Sequence, residues 1–301
     1  MSVRIGINPI TWSNDDLPEL GGDIPLETCL AEARQAGYDG IELGHKFPRR
    51  AEALRALLAR HGLALVSGWF SGGLLARSLA AEIEAVHAHL ELLAALGCPV
   101  MVYAETTGAV AGARATPVSR RPRLADGDWL EFGAKLTRLA EHLAERGVGL
   151  AYHHHMGTVV ESAADIDRLM AATGPAVGLL LDTGHLAYAG ADALAVARRH
   201  AARINHVHCK DVRRAVLERA RAADLSFLDA VVEGVFTVPG DGCVAFDPVL
   251  ALLVQAGYRG WLVVEAEQDP AKAHPLTYAR MGYDHLGRAA ARATRRREEA
   301  R

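Results

Sequence analysis

The stretch INHVHCKD, residues 204–211, decides the fold: a short run of strand length that closes on imidazole, ammonium and carboxylate groups. The same arrangement recurs in GLAYHHHM (149–156), VGLLLDTGH (177–185) and WLVVEAEQD (261–269). Working outward, 3–7, 40–43, 64–67 and 100–103 are four more such runs, leading into or carrying Asn8, Glu42, Trp69 with Phe70, and Glu105. Most are too continuously apolar for half-exposed strands, and they read as strands buried on both faces. Between them lie amphipathic segments with helix periodicity at 25–37, 49–61, 80–96, 128–146, 163–172, 192–202, 247–256 and 274–296. Pro25 stands in the first turn of its segment and Gly37 at the end, as helix start and stop signals do. Eight strand–helix units predict an α/β fold, a single (β/α)8 TIM barrel over residues 1–301, with a charged tail expected to fray from about 291 to 301. A doubly wound open sheet would carry a Gly-rich phosphate loop after an early strand; the first run leads instead into NPITW, residues 8–12. The long irregular stretches 106–126 and 235–246 read as functional loops.

Composition narrows the classes. Hydrophobic residues make up 50% and charged residues 23%, which fits a globular chain and not a disordered one. The net charge of −3, from 33 basic and 36 acidic residues, gives no broad footprint for nucleic acid or an anionic membrane. Cys29, Cys98, Cys209 and Cys243 lie far apart with no CxxC pair, so neither a disulfide framework nor a Cys-based zinc site is expected. There is no apolar leader region and no run long enough to span a bilayer, and a cytoplasmic setting is expected.

The 14 histidines are not scattered evenly: His45, His153, His154, His155, His185, His206 and His208 stand where a barrel places its chemistry, at the C-terminal strand ends. Several carboxylates in a dry barrel mouth need a partner, and a divalent cation serves several at once. Asp182, His208 and Glu265 end three successive strands and can converge on one point. That mixed oxygen and nitrogen set suits Mn²⁺, Co²⁺, Zn²⁺ or Fe²⁺ better than Ca²⁺. Side-chain alternation puts His153 and His155 on one face and His154 on the other, so one of the first two completes the set. His206 shares a face with His208 and Glu267 with Glu265, which leaves those two assignments open by one register step. Glu42 and Glu105 read either as site groups or as carboxylates capping backbone amides, and Lys210-Asp211 as a site pair or a surface ion pair. Trp12, Trp69 and Phe70 read as core or as a ligand platform; Gly240-Asp241-Gly242 reads as a turn, and Cys209 as a small buried residue opposite His208.

The strings GINPITWSNDD, ELGGDIPLETCL, GYDGIELG, YHHHMGTVVE, LLLDTGH, HVHCKDVR, FTVPGDG and VVEAEQDPAKAHPL, spread over residues 3 to about 290, resemble the inosose dehydratases of the xylose isomerase-like superfamily. That superfamily includes sugar isomerases, epimerases and an endonuclease. The resemblance implies a hydro-lyase that removes water from a cyclic polyol ketone, 2-keto-myo-inositol, in inositol catabolism. The alternative is a divalent-metal sugar or polyol isomerase or epimerase. Asp182, His208 and Glu265 match the superfamily's metal ligands. Its usual strand-5 Glu is missing, Tyr152-His153-His154-His155 standing in its place, so that His153 or a water fills the position. Mn²⁺ or Co²⁺ is implied, with Zn²⁺, Fe²⁺ or Mg²⁺ behind; glutathione is linked to the family, although no residues here form a thiol-peptide site. For proton transfer the resemblance points to His153, His155 and His185, with Lys210 and Glu42 behind them. Asn8, Trp12, Glu42, Trp69, Glu105 and Glu267 are the expected substrate contacts, and a homo-oligomer is expected by analogy.

Overall fold

A computed structural model describes residues 3–299. Eight parallel strands close into a barrel: β1 (Arg4–Ile7), β2 (Gly40–Leu43), β3 (Ala64–Gly72), β4 (Val100–Glu105), β5 (Gly149–His153), β6 (Val177–Asp182), β7 (Ile204–Cys209) and, after a small two-stranded antiparallel pair of β8 (Asp211–Val212) and β9 (Phe236–Thr237), β10 (Trp261–Val264). Around them run α1 (Leu26–Ala36), α2 (Ala51–His61), α3 (Leu79–Ala95), α4 (Asp128–Ala144), α5 (Ala163–Ala172), α6 (Thr183–Tyr188), α7 (Ala193–His200), α8 (Arg214–Ala222), α9 (Phe227–Val232), α10 (Phe246–Gln255) and α11 (Pro275–Glu299). The expected barrel is present, and β4, β6 and β10 are buried along their whole length, as their apolar runs require.

The interior is filled in layers. Val66, Val263 and Trp261 pack together from β3 and β10, strands that are not neighbours in the barrel, so they meet across its axis. Gly40 makes room for them: a Cβ there would lie 2.5 Å from Val66 Cγ2 and 2.8 Å from Trp261 Cη2. Val100, Val102, Ala151 and Leu180 form another apolar group, from β4, β5 and β6. At the C-terminal strand ends the buried side chains become polar: Glu42, Ser67, His153, Asp182, His206, His208 and Glu265.

Three differences from the sequence reading matter for the site. β3 continues past Ser67 to Gly72 and pairs with β4 as far as Glu105, which carries Trp69 out to the barrel mouth. DTGHLAY turns directly into α6, whose N-cap is Asp182 itself, with Oδ1 accepting the His185 amide. The charged segment expected to fray stays helical to Glu299, because Leu286, Ala289 and Ala293 bury one face of α11 while Arg292 pairs with Asp247. Ala300 and Arg301 lie outside the described residues.

Candidate metal centre and substrate cavity

Parallel register puts Asp182 of β6 directly beside His208 of β7, and Val263 of β10 on the other side of His208. Glu265 leaves the end of β10 on that same rim, and His153 ends β5 next to β6. The four side chains are buried and offer ligand atoms that all lie within 4.8 Å of one another. His153 Nε2 is 3.2 Å from His208 Nδ1 and 3.5 Å from Asp182 Oδ2, and His208 Nδ1 is 3.6 Å from Asp182 Oδ2 and in contact with Glu265 Oε2. A tetrahedral cation with bonds of about 2.1 Å has edges of roughly 3.4 Å, so three of these spacings are those of a ligand shell. Asp182 Oδ2 and Glu265 Oε2 are buried, and the imidazole nitrogens nearest them belong to His153 and His208, members of the same group of would-be ligands, an arrangement that fits a shared cation. His153 is the strand-5 residue that lies with the other three.

The surrounding charges fix the protonation of this group. Burial would raise the Asp182 carboxyl, but Lys210 and His185, with His153 and His208, hold it well below the usual carboxylate range. Glu265 is likewise brought down to about 2 against burial, by His208 and Lys210. Burial would lower His208, yet Glu265 and Glu42 hold it well above its ordinary value, and the field that favours a proton on this ring also favours a divalent cation. Burial and the neighbouring His153 push His154 down to about 3; it turns away from the quartet and its Nε2 accepts the Asp182 amide at 3.2 Å.

Two buried polar groups support the quartet. Lys210 Nζ lies 2.9 Å from Glu265, 2.8 Å from Glu267 and 3.1 Å from His185 Nε2, over the face of Phe236. Burial opposes its charge, but the three carboxylates of Glu265, Glu267 and Asp182 prevail and raise it, so it is an ammonium and not a base. Gly184 of DTGH lets its stem pass, since a Cβ there would sit 2.4 Å from Lys210 Cγ. On the other side Glu42 accepts from Asn8 Nδ2 at 2.7 Å, from Ser67 Oγ, from His206 Nε2 at 2.9 Å and from His208 Nε2 at 3.1 Å. Burial would raise Glu42, but His208 and His206 hold it well below the carboxylate range.

A cavity of about 500 Å³ opens on this floor. Asn8, Glu42, Trp69, His155, His208, Glu265 and Glu267 line it, together with Asp15, Asp16, Ser67, Ser71, Thr106 and Thr158. Trp69 is 40% exposed and sets its ring edge-on to His153 and His155, so it belongs to the wall. His155 Nδ1 donates to the Met156 carbonyl at 2.8 Å, which leaves Nε2 as the basic nitrogen, while burial, His153 and Lys210 push the ring down to about 3. Burial raises Glu267 to about 7, with Lys210 opposing and Glu265 reinforcing the shift.

Several expected residues are placed elsewhere. Trp12 is core, and its indole donates to Glu32 at 2.6 Å instead of facing the cavity. Glu105 is fully buried with Oε1 on the Thr107 amide, outside the cavity wall. Lys210 and His185 lie behind the wall, completely buried, and support the site without lining it. Asp211 makes no pair with Lys210; its carboxylate accepts the amides of Gly240, Gly242 and Val244 and holds that turn. Sequence reading missed Ser67, which the alternation of β3 would have placed inside. It also missed Arg121, buried between Asp165 at 2.7 Å and Glu161 at 3.3 Å while donating to the Thr158 and Val159 carbonyls, so that it ties the loop 106–126 to the loop that carries His155 and Thr158.

Comparison with known proteins gives a consistent picture. Residues 30–289 match the xylose isomerase-like TIM barrel family. The chain is 60% identical over 294 residues to the rhizopine catabolism protein MocC of Rhizobium meliloti, covering 97% of this chain and 90% of that protein. It is 46% identical over 279 residues to the inosose dehydratase of Geobacillus thermodenitrificans, covering 92% and 94%. The solved structure of an L-ribulose 3-epimerase superposes with a TM-score of 0.72 at 20% identity, over 99% of this chain and 98% of that one, a likeness of fold.

Proposed function

We propose that this chain, which belongs to the xylose isomerase-like TIM barrel family, is an inosose dehydratase, a hydro-lyase that removes water from 2-keto-myo-inositol to give a trihydroxycyclohexane-1,2-dione. The observation that carries the reading is the buried quartet of His153, Asp182, His208 and Glu265 beneath a polar cavity of about 500 Å³, in a chain 46% identical to an inosose dehydratase. A divalent cation held by those four residues, Mn²⁺ or Co²⁺ in the first place, supplies Lewis-acid stabilisation of negative charge on a substrate oxygen, worth several kcal/mol.

The residues of the chain account for the rest. In the reaction a C–H bond beside the ketone breaks, and its electron pair becomes a C=C bond as the hydroxyl on the next carbon departs. The product is the enol tautomer of the dione, and one water leaves. His155 is neutral at pH 7, and its Nε2 is the group assigned to take the carbon-bound proton. Glu267, near pH 7 in its titration and held by Lys210, is assigned to protonate the departing hydroxyl. Asn8, Ser71 and Thr106 line the cavity beside the remaining hydroxyls, and Trp69 covers an apolar ring face.

The test follows the ultraviolet absorbance of the enone formed from 2-keto-myo-inositol, with chelated protein before and after Mn²⁺ or Co²⁺ is restored. Activity lost with the metal and regained with it is expected. A protein that binds the cation, leaves 2-keto-myo-inositol unchanged and isomerises ketoses is an isomerase or epimerase, and the dehydratase reading falls.

A further inference from the structure

We propose that Glu42 is a positioning residue: it fixes which nitrogen of His208 faces the quartet and thereby sets the affinity of the quartet for a divalent cation. The inference rests on the cation-binding reading above and concerns a residue that contributes no atom to the quartet. His208 has both ring nitrogens engaged. Nε2 lies 3.1 Å from Glu42 Oε1, while Nδ1 faces Glu265, His153 at 3.2 Å and Asp182 at 3.6 Å. Both Glu42 oxygens accept from fixed donors, Asn8 Nδ2 and Ser67 Oγ, so Glu42 is an acceptor toward His208 as well; Nε2 is the nitrogen that carries hydrogen, and Nδ1 is the one turned to its three neighbours.

Glu42 is itself over-determined. It is 3% exposed, and its two oxygens accept from Asn8 after β1, Ser67 on β3 and His206 on β7, besides His208. Residues on or next to three strands, β1, β3 and β7, therefore hold one carboxylate against one imidazole. Outer partners of this kind typically change metal affinity by about 10–100-fold when removed. Glu42 with His206 and His208 would also serve as a second three-ligand cation site, but its donors already satisfy the carboxylate fully. The single-cation assignment follows.

The test uses the full-length chain with Co²⁺ alone for affinity, by chelator competition, and with Zn²⁺ for NMR. Glu42→Gln is expected to keep one cation per chain and to weaken Co²⁺ by about 10–100-fold. Long-range ¹H–¹⁵N spectra of the Zn²⁺-loaded wild type are expected to show His208 protonated at Nε2 and bound through Nδ1, with that Nε2 proton exchanging faster with water in Glu42→Gln. If Glu42→Gln fails to fold, Asn8→Ala with Ser67→Ala leaves the carboxylate in place but unanchored, and a smaller loss of the same sign is expected. Equal affinity with an unchanged His208 tautomer overturns the proposal. So does a second cation per chain that disappears in His206→Asn. A wild-type chain that takes up no Co²⁺ refutes the cation-binding reading itself, and this inference with it.

Discussion

Replacing Lys210 by Met removes the only ammonium in contact with Glu265 and Glu267 among the described residues and leaves the side chain's volume nearly intact. Nζ stands 2.9 Å from Glu265 and 2.8 Å from Glu267. At an effective dielectric of 20 each contact corresponds to about 6 kcal/mol of gross attraction. The cost of burying the ammonium offsets much of that, and breaking a buried pair from one side typically loses about 3–5 kcal/mol. Lys210 is fully buried, so solvent screening does not reduce the figure. Urea unfolding of the metal-free protein at pH 7.5, followed by circular dichroism, measures the loss directly. Lys210→Met is expected to fall by about 3–5 kcal/mol, and Lys210→Met with Glu267→Gln by less than the sum of the single changes, because the second removes a carboxylate that the first leaves unpaired. A loss under about 1 kcal/mol, or strict additivity, would mean that these carboxylates do not depend on Lys210.

Gly184→Ala places a methyl 2.4 Å from Lys210 Cγ, and the displaced stem is expected to cost about 1–3 kcal/mol in urea unfolding and to reduce turnover. His155→Ala is expected to lower kcat by about 10²–10⁴-fold while Co²⁺ affinity is retained, and full turnover in that variant would remove His155 from the proton path. Burial would raise Asp165, but hydrogen bonds from Ser162 and the charge of Arg121 hold it below its ordinary 3.8. A carboxyl depressed in the folded state contributes stability above its unfolded pKa and loses it as pH falls through the folded value. Asp165→Asn should therefore be less stable than wild type at pH 7 and lose that difference below about pH 4, in urea midpoints measured across the range.

The sequence exposed the fold because strands covered on both faces leave short apolar runs, and β4 and β6 announce themselves in this way. It exposed the quartet because strand ends in a barrel share one rim. Alternation and strand order brought Asp182, His208 and Glu265 to one point but left His153 against His155, His208 against His206 and Glu265 against Glu267 open, and the structure groups His153, Asp182, His208 and Glu265. What it hid depends on side-chain direction and on short elements. Trp12 and Trp69 read alike in the sequence, yet Trp12 follows a short turn after β1 and its indole meets Glu32 in the core, whereas Trp69 is still within β3 and lines the cavity. The six residues of α6 contain a glycine and borrow a site carboxylate as N-cap, so no helical pattern marks them. Lys210-Asp211 reads either as a site pair or as a surface ion pair, but alternation sends the two side chains apart, Lys210 to the quartet and Asp211 to the turn at 240–244. Arg121 lies in an irregular loop, where charge alone does not separate a buried staple from a surface arginine.

The most direct test of the central claim is anomalous diffraction at the metal edge from crystals grown with Mn²⁺ or Co²⁺. The account predicts one strong peak within about 2.0–2.3 Å of His153 Nε2, Asp182 Oδ2, His208 Nδ1 and Glu265 Oε2. A peak elsewhere, or a saturated crystal with no peak at these four atoms, would contradict it.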